Sequence, residues 1–195
     1  MCPISLALAA LVASSTATPR NVSEGPRAAA RAYFEAITRG DADAALALVA
    51  NPSDADRLAV RASAASQEGL RHVEDLATSR FGERGDLGIT ARQRRMLGAI
   101  GRAPVEVNGD RAVVRPEGER PVQLRRVGGV WKVGSPADRL TGLERKALER
   151  ALRQTEEATK DVAERIRSGA VRSAEEVRDA LRKALGHDEE EGVPL

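Results

Sequence analysis

Few side chains in this sequence could carry out acid–base chemistry. The chain of 195 residues has one tyrosine, Tyr33, and two histidines, His72 and His187, of which His187 stands in an acidic C-terminal run. A histidine can act as a general base near neutral pH, and a phenol can donate a hydrogen bond to a developing oxyanion. Tyr33 and His72 are therefore the candidate catalytic residues. Catalysis requires both to converge on one mostly apolar cavity.

The aromatic residues Tyr33, Phe34 and Trp131 are the candidate ligand-binding residues. Tyr33 and Phe34 belong to an apolar stripe at helical spacing, so core packing is the simpler explanation of both rings. The alternative is a Tyr33 hydroxyl that points into a cavity. Trp131 could line a pocket or anchor a partner, although core packing again explains it more simply. His72 lies at the edge of an apolar stripe, where an amphipathic boundary position accounts for it.

The residue pattern indicates neither a metal site nor a covalent catalytic mechanism. Cys2 is the only cysteine, and no pair of histidines stands at ligand spacing. Asp41 and Asp43 resemble paired carboxylates, but helix capping and placement at a helix N-terminus explain both. No phosphate-binding glycine motif follows a strand pattern. We therefore predict no metal site and no cofactor.

The composition indicates a soluble, mostly folded chain with a weak basic bias. Hydrophobic residues make up 42% but aromatic residues only 2%, so the core must consist mainly of Ala, Leu and Val. The net charge is +2, with charges of both signs interspersed. The densest basic run, Arg92, Arg94 and Arg95, has no aromatic neighbour for base stacking. This pattern argues against a nucleic-acid partner.

The N-terminus resembles a signal peptide. An apolar run from Ile4 to Val12 is followed by small residues, with Ser15 and Ala17 at the −3 and −1 positions of a cleavage site. A positively charged start is missing, so an earlier start codon or an apolar terminus is the alternative. The run is too short for a bilayer, which needs about 20 apolar residues. We predict a signal peptide over residues 1–17, export to the periplasm or medium, and no transmembrane span in the mature chain.

Capping residues and apolar stripes predict helices over the first half of the chain. These helices begin at Pro26 with Ser23 as cap, after Asp41, at the Ser53–Asp56 capping box and after Thr90. Gly69 is a potential break in the third helix. From Pro104 onward the apolar residues recur at every second position, which predicts four strands in an antiparallel meander. A two-residue turn at 128–129 would place Leu124 opposite Val133 and Arg126 opposite Trp131.

The C-terminal part predicts a helical hairpin that could dimerise. A first helix runs to about Arg167, and Ser173 with Glu176 forms a capping box for a second helix that ends at Gly186. Residues spaced by four and three form a short heptad seam in the first helix: Leu148, Leu152, Thr155, Thr159, Val162 and Ile166. The hairpin spans residues 135–186, and an acidic, disordered tail is predicted over residues 187–195.

The stretch "AARAYFEAITRGDADAALALV" and the late hairpin "RRVGGVWKVG" resemble the nuclear transport factor 2-like superfamily, in particular its small exported bacterial members. The resemblance covers residues 26–134, which follow a linker over residues 18–25. It implies an α+β fold in which N-terminal helices pack on a short, curved antiparallel meander sheet, often around an apolar pocket. The family includes isomerases and dehydratases as well as non-catalytic members.

Three functions are consistent with this sequence. The first is a non-catalytic exported protein that binds a small apolar ligand or a protein partner through its α+β domain. The second is an enzyme of the isomerase or dehydratase type, with Tyr33 and His72 as its acid–base groups. The third is an interaction protein that acts through its C-terminal helices.

Overall fold

The computed structural model describes residues 25–135 and 142–185 of the chain. The predicted signal peptide over residues 1–17, the Ser23 cap and the tail over residues 187–195 lie outside the described residues. The described ranges form an α+β structure, as the sequence predicts. Its helices are α1 (Pro26–Thr38), α2 (Ala42–Ala47), α3 (Asp54–Phe81), α4 (Ile89–Arg102), α5 (Gly142–Ser168) and α6 (Ala174–Ala184), and its strands are β1 (Val105–Asn108), β2 (Arg111–Val114), β3 (Val122–Val127) and β4 (Val130–Val133).

The four strands form one antiparallel meander in the order β1-β2-β3-β4. The predicted turn at 128–129 is present, and both of its glycines have the positive φ that such turns require. The predicted register is confirmed, because Leu124 lies opposite Val133 and Arg126 opposite Trp131. The Arg126 guanidinium carbon lies 4.6 Å from the centre of the Trp131 ring, over its face.

One face of the sheet packs on the helices and forms the larger of two hydrophobic clusters, which we call the sheet core. Helix α1 contributes most of its buried stripe, and the first half of α3 contributes Val60 and Ala64. The strands contribute alternate residues, as expected for a sheet with one covered face: Ala112, Val114, Val122, Leu124, Trp131 and Val133.

A second cluster, the hairpin core, forms where the C-terminal helices pack on the second half of α3. Val73 and Ala77 of α3 lie in it. The residues from the C-terminal hairpin are Val162, Ala163, Ile166, Val171, Val177, Ala180 and Leu181. With 28 residues, α3 is about 42 Å long, and it is shared by both cores.

Helix α5 runs parallel to α3 and comes very close to it. Gly69 in the middle of α3 faces Thr159, and Arg80 near the end of α3 lies against Gly169, directly after α5. A Cβ atom at position 69 would lie 2.8 Å from Thr159 Oγ1 and 3.2 Å from Thr159 Cβ. The prediction that Gly69 breaks the helix is therefore wrong. One helical glycine costs only about 1 kcal/mol, and here its missing side chain makes room for α5.

The predicted side-chain caps are present at the starts of α2 and α3, but the cap predicted for α4 is wrong. Asp41 accepts a hydrogen bond from Ala44 N at 2.9 Å, and Ser53 with Asp56 forms the predicted capping box. Helix α4 does not begin with Thr90 as its cap: it starts at Ile89. Instead, the buried Glu74 of α3 accepts hydrogen bonds from the backbone N–H groups of Ile89 and Thr90 and from the Thr90 hydroxyl.

The start of α6 also differs from the prediction in one bond. Ser173 Oγ accepts from Glu176 N at 3.2 Å, as a cap should. The Glu176 carboxylate, however, accepts from Arg172 N at 2.8 Å rather than from the cap residue itself. Helix α1 begins after Gly25, with Pro26 in its first turn and no side-chain cap.

Three cations form a row on the sheet face that points away from the helices. Arg111 lies opposite Arg125, and Arg125 lies opposite Lys132. None of the three forms an ion pair or side-chain hydrogen bond within the described part of the chain. Like charges directly opposite one another destabilise a sheet, so this row lowers the stability of the fold.

We expect Gly69→Ala to destabilise the protein by about 1–2 kcal/mol, because the steric cost of the new methyl group exceeds the gain in helix propensity. Gly98→Ala in α4 is the matched control. Its Cβ would meet only the far end of the Arg102 side chain, at 3.4 Å, so it should stabilise by about 0.5–1 kcal/mol. Urea unfolding measures both. Equal effects of the two substitutions would contradict the close contact.

We expect Arg125→Glu to stabilise the protein by about 0.2–1 kcal/mol, because it converts two repulsive cross-strand pairs into attractive ones. The neighbouring Arg126→Glu makes the same charge change but removes the cation from the Trp131 ring, and should cost about 0.5–1 kcal/mol. Thermal unfolding at low ionic strength compares the two variants. A loss of stability in Arg125→Glu would show that the cationic row is not repulsive.

Candidate functional site

Phe34 stands at the boundary between the sheet core and the surrounding helices. The preceding residue, Tyr33, is buried in the sheet core, whereas Phe34 is only half-buried. The two rings meet edge to face, with centroids 5.2 Å apart and an interplanar angle of 84°. Phe34 borders two concave regions of the surface.

The first concave region is a pocket of about 460 Å³ between helices, which we call the helix pocket. Gln67 and Leu70 of α3 contribute one wall, and residues of α1, α4 and α6 contribute the others. The apolar lining residues are Phe34, Ile37, Leu70, Leu87, Ile89, Met96, Leu181 and Leu185. A pocket of this size and lining suits a small apolar molecule.

Seven polar or charged residues also line the helix pocket, and four of them lie on α3 and α4: Ser63, Gln67, Arg92 and Gln93. Gln93 Nε2 donates a hydrogen bond to Gln67 Oε1 at 2.8 Å, which joins the two helices. Arg92 lines the pocket one residue before Gln93, and its side chain is exposed. On α6, Arg178 Nη2 donates to Asp86 O at 2.7 Å.

The second concave region, the sheet cleft, is larger and open, with a volume of about 950 Å³. It lies between α1, the chain after α2 and strands β2 to β4. Its lining includes Tyr33, Phe34, Asn51, Val122, Gln123 and Ser135. Polar and apolar groups are mixed in this lining, so the cleft lacks the apolar enclosure that small-molecule sites usually have.

A buried carboxylate lies near Tyr33. Asp56 is fully buried and accepts hydrogen bonds from Ser53 N at 2.9 Å and Ser53 Oγ at 2.7 Å. Its other oxygen accepts from Ser135 Oγ at 2.6 Å. Burial, and secondly the negative charge of Asp56, raise the pKa of Tyr33 to about 12. The phenol is therefore held in its neutral form at physiological pH.

The structure does not bring the candidate catalytic residues together. Tyr33 borders the sheet cleft, whereas His72 lies exposed on α3, with its Nε2 atom 2.8 Å from Nη2 of Arg167. His72 lines neither the cleft nor the helix pocket. Among the candidate ligand-binding residues, Phe34 lines both regions and Tyr33 one. Trp131 is buried beneath Arg126 and lines neither.

Most of the helix pocket is not predictable from the sequence. Its lining residues Leu70, Met96 and Leu181 have the helical spacing that is typical of ordinary packing residues, and nothing in the sequence distinguishes them as a site. No group of three or more His, Cys, Asp or Glu side chains in the described ranges could hold a metal ion. No helix among the described residues is long and apolar enough to cross a bilayer.

Comparisons of the chain with protein-family models, with curated proteins and with solved structures found no significant match. The geometry of the site and the residues that form it therefore carry the functional argument.

Tyr33 should titrate with a midpoint near pH 12 in the folded protein, against 10.0 for an unperturbed phenol. Because the folded-state pKa is the higher one, the associated stability is complete below pH 10 and is lost as pH rises through about 12, by about 2–3 kcal/mol. As Tyr33 is the only tyrosine, ultraviolet difference absorbance follows it alone. Tyr33→Phe should remove this pH dependence, and a folded-state midpoint near 10 would contradict the burial argument.

Proposed function

We propose that this chain is a non-catalytic binding protein that takes a small apolar ligand into the helix pocket. The carrying observation is the pocket itself: about 460 Å³, lined mainly by Phe34, Leu70, Met96 and other apolar side chains. Small-molecule sites typically have such a volume, an apolar lining and a few polar groups. These side chains are only half-buried around the pocket, and a bound apolar ligand would remove more of their surface from water.

The separation of the acid–base groups favours binding over the enzymatic alternative. General acid–base catalysis requires the groups to reach the same substrate directly or through one water. Tyr33 borders the sheet cleft, and His72 lies outside it in contact with Arg167. The nearby carboxylate of Asp56 is occupied by hydrogen bonds from two serines. No catalytic pair is thus assembled in the described part of the chain.

The packing of the hairpin favours a ligand over a partner of the C-terminal helices. Val162 and Ile166, the most apolar part of the heptad seam, are buried in the hairpin core of the same chain. They are therefore already covered by α3 and α6. Leu181 of α6, which also belongs to the hairpin core, and Leu185 directly after α6 line the helix pocket. We propose that the hairpin acts as one wall of the ligand site rather than as a dimerisation surface.

Membership of the nuclear transport factor 2-like superfamily and export after cleavage near Ala17 are further parts of the proposal. Helices before an antiparallel meander, packed on one of its faces, support the family assignment. The proposed site differs from the family expectation, because it lies between helices instead of inside the sheet.

Ser63→Trp tests the proposal. Ser63 is exposed and lines the helix pocket, so the indole would occupy ligand space with little effect on either core. The matched control is Ser79→Trp, an exposed position on the same helix that does not line the pocket. We expect the neutral fluorescent probe N-phenyl-1-naphthylamine to bind saturably to the wild type and to the control. Binding to Ser63→Trp should be at least tenfold weaker.

Two results would overturn the proposal. One is the absence of saturable probe binding to the folded wild-type protein. The other is equal binding by Ser63→Trp and Ser79→Trp, which would place the probe elsewhere. Circular dichroism of both variants confirms that they are folded.

A further inference from the structure

We infer that the ligand of the helix pocket is an anionic amphiphile whose acidic head group is held by Arg92; this inference rests on the proposed function. The ligand class is an apolar chain or ring system that ends in a carboxylate, sulfate or phosphate. Polar side chains that line the pocket have unused hydrogen-bonding capacity for such a head group.

Arg92 is positioned to meet a head group while the rest of the ligand lies among apolar side chains. It stands four residues before Met96, so both side chains lie on the same face of α4, and both line the helix pocket. The Arg92 guanidinium makes no ion pair or hydrogen bond with any residue in the described ranges. A guanidinium is a planar multiple donor that matches an acidic head group well.

The neighbouring amides add a second set of donors. In the Gln93–Gln67 hydrogen bond the Gln67 oxygen is the acceptor. The Gln67 NH₂ group has no partner among the described residues, and the side chain is half-buried. Covering it with a purely apolar ligand would leave these donors without acceptors, which costs free energy. A head group with several acceptor oxygens would supply acceptors for the Gln67 amide as well as for Arg92, since both side chains line the same pocket.

Two other charged residues, Arg178 and Glu119, line the pocket and act on an anionic ligand in opposite directions. Arg178 is held by the Asp86 carbonyl, and its charge adds to the attraction. Glu119, in the loop between β2 and β3, also lines the pocket and opposes an anion. Glu119 and Arg95 share an adjoining groove with Arg92, in which neither arginine forms an ion pair with Glu119. Removing the charge of Glu119 should therefore strengthen binding of an anion.

Displacement of the neutral probe by dodecanoate and by dodecanol tests the inference, both below the concentrations at which they aggregate. Arg92→Gln should weaken dodecanoate about tenfold and leave dodecanol unchanged, since a charge-assisted hydrogen bond is lost only for the anion. Glu119→Gln should strengthen dodecanoate about twofold to threefold. Arg94→Gln, an exposed substitution on the same helix outside the pocket lining, is the matched control and should change neither.

The outcomes separate this inference from the proposed function. If the probe binds and both dodecyl compounds displace it equally, with Arg92→Gln behaving like Arg94→Gln, the anionic head group is refuted and the apolar site stands. If neither compound displaces the probe, the inference fails while the site for the probe remains. If the probe itself does not bind, both proposals fail together.

Discussion

The close approach of α5 to α3 at Gly69 is the contact on which the two halves of the structure depend. Only the first half of the 42 Å helix α3 contributes to the sheet core, through Val60 and Ala64. The second half of α3 needs another apolar layer, and α5 with α6 supplies it. Because position 69 has no side chain, the backbone of α3 can lie directly against Thr159. The van der Waals contacts of Val73 and Val162 depend on that short distance.

The helix pocket is a consequence of this arrangement of two cores on one helix. Along α3, Ala64 belongs to the sheet core and Val73 to the hairpin core. Gln67 and Leu70, which lie between them, line the pocket. Neither core has side chains large enough to fill the junction, because the chain has only 2% aromatic residues. The site thus arises where two separately packed layers meet, which is a common place for ligand pockets.

Local features of this fold were predictable from the sequence, and features that join distant segments were not. The cap at Asp41 and the β3–β4 register depend on residues a few positions apart. The role of Gly69 depends on Thr159, 90 residues later, and the start of α4 depends on Glu74 of another helix. The helix pocket was missed for the same reason. Periodicity identifies the side of a helix that is covered, but it does not show whether the covering layer fills the space.

The chemistry-bearing residues of the described chain serve to hold elements together, and this favours a binding function over a catalytic one. Asp56 ties the start of α3 to the end of the sheet through Ser135, and Glu74 holds the start of α4. His72 contacts Arg167 across the α3–α5 interface. The oxygens of both carboxylates already accept hydrogen bonds from groups of the protein itself, so neither carboxylate is directed at a ligand site. Gln67 and Arg92, by contrast, line the apolar pocket with unused hydrogen-bonding capacity, and there we propose that they select a ligand.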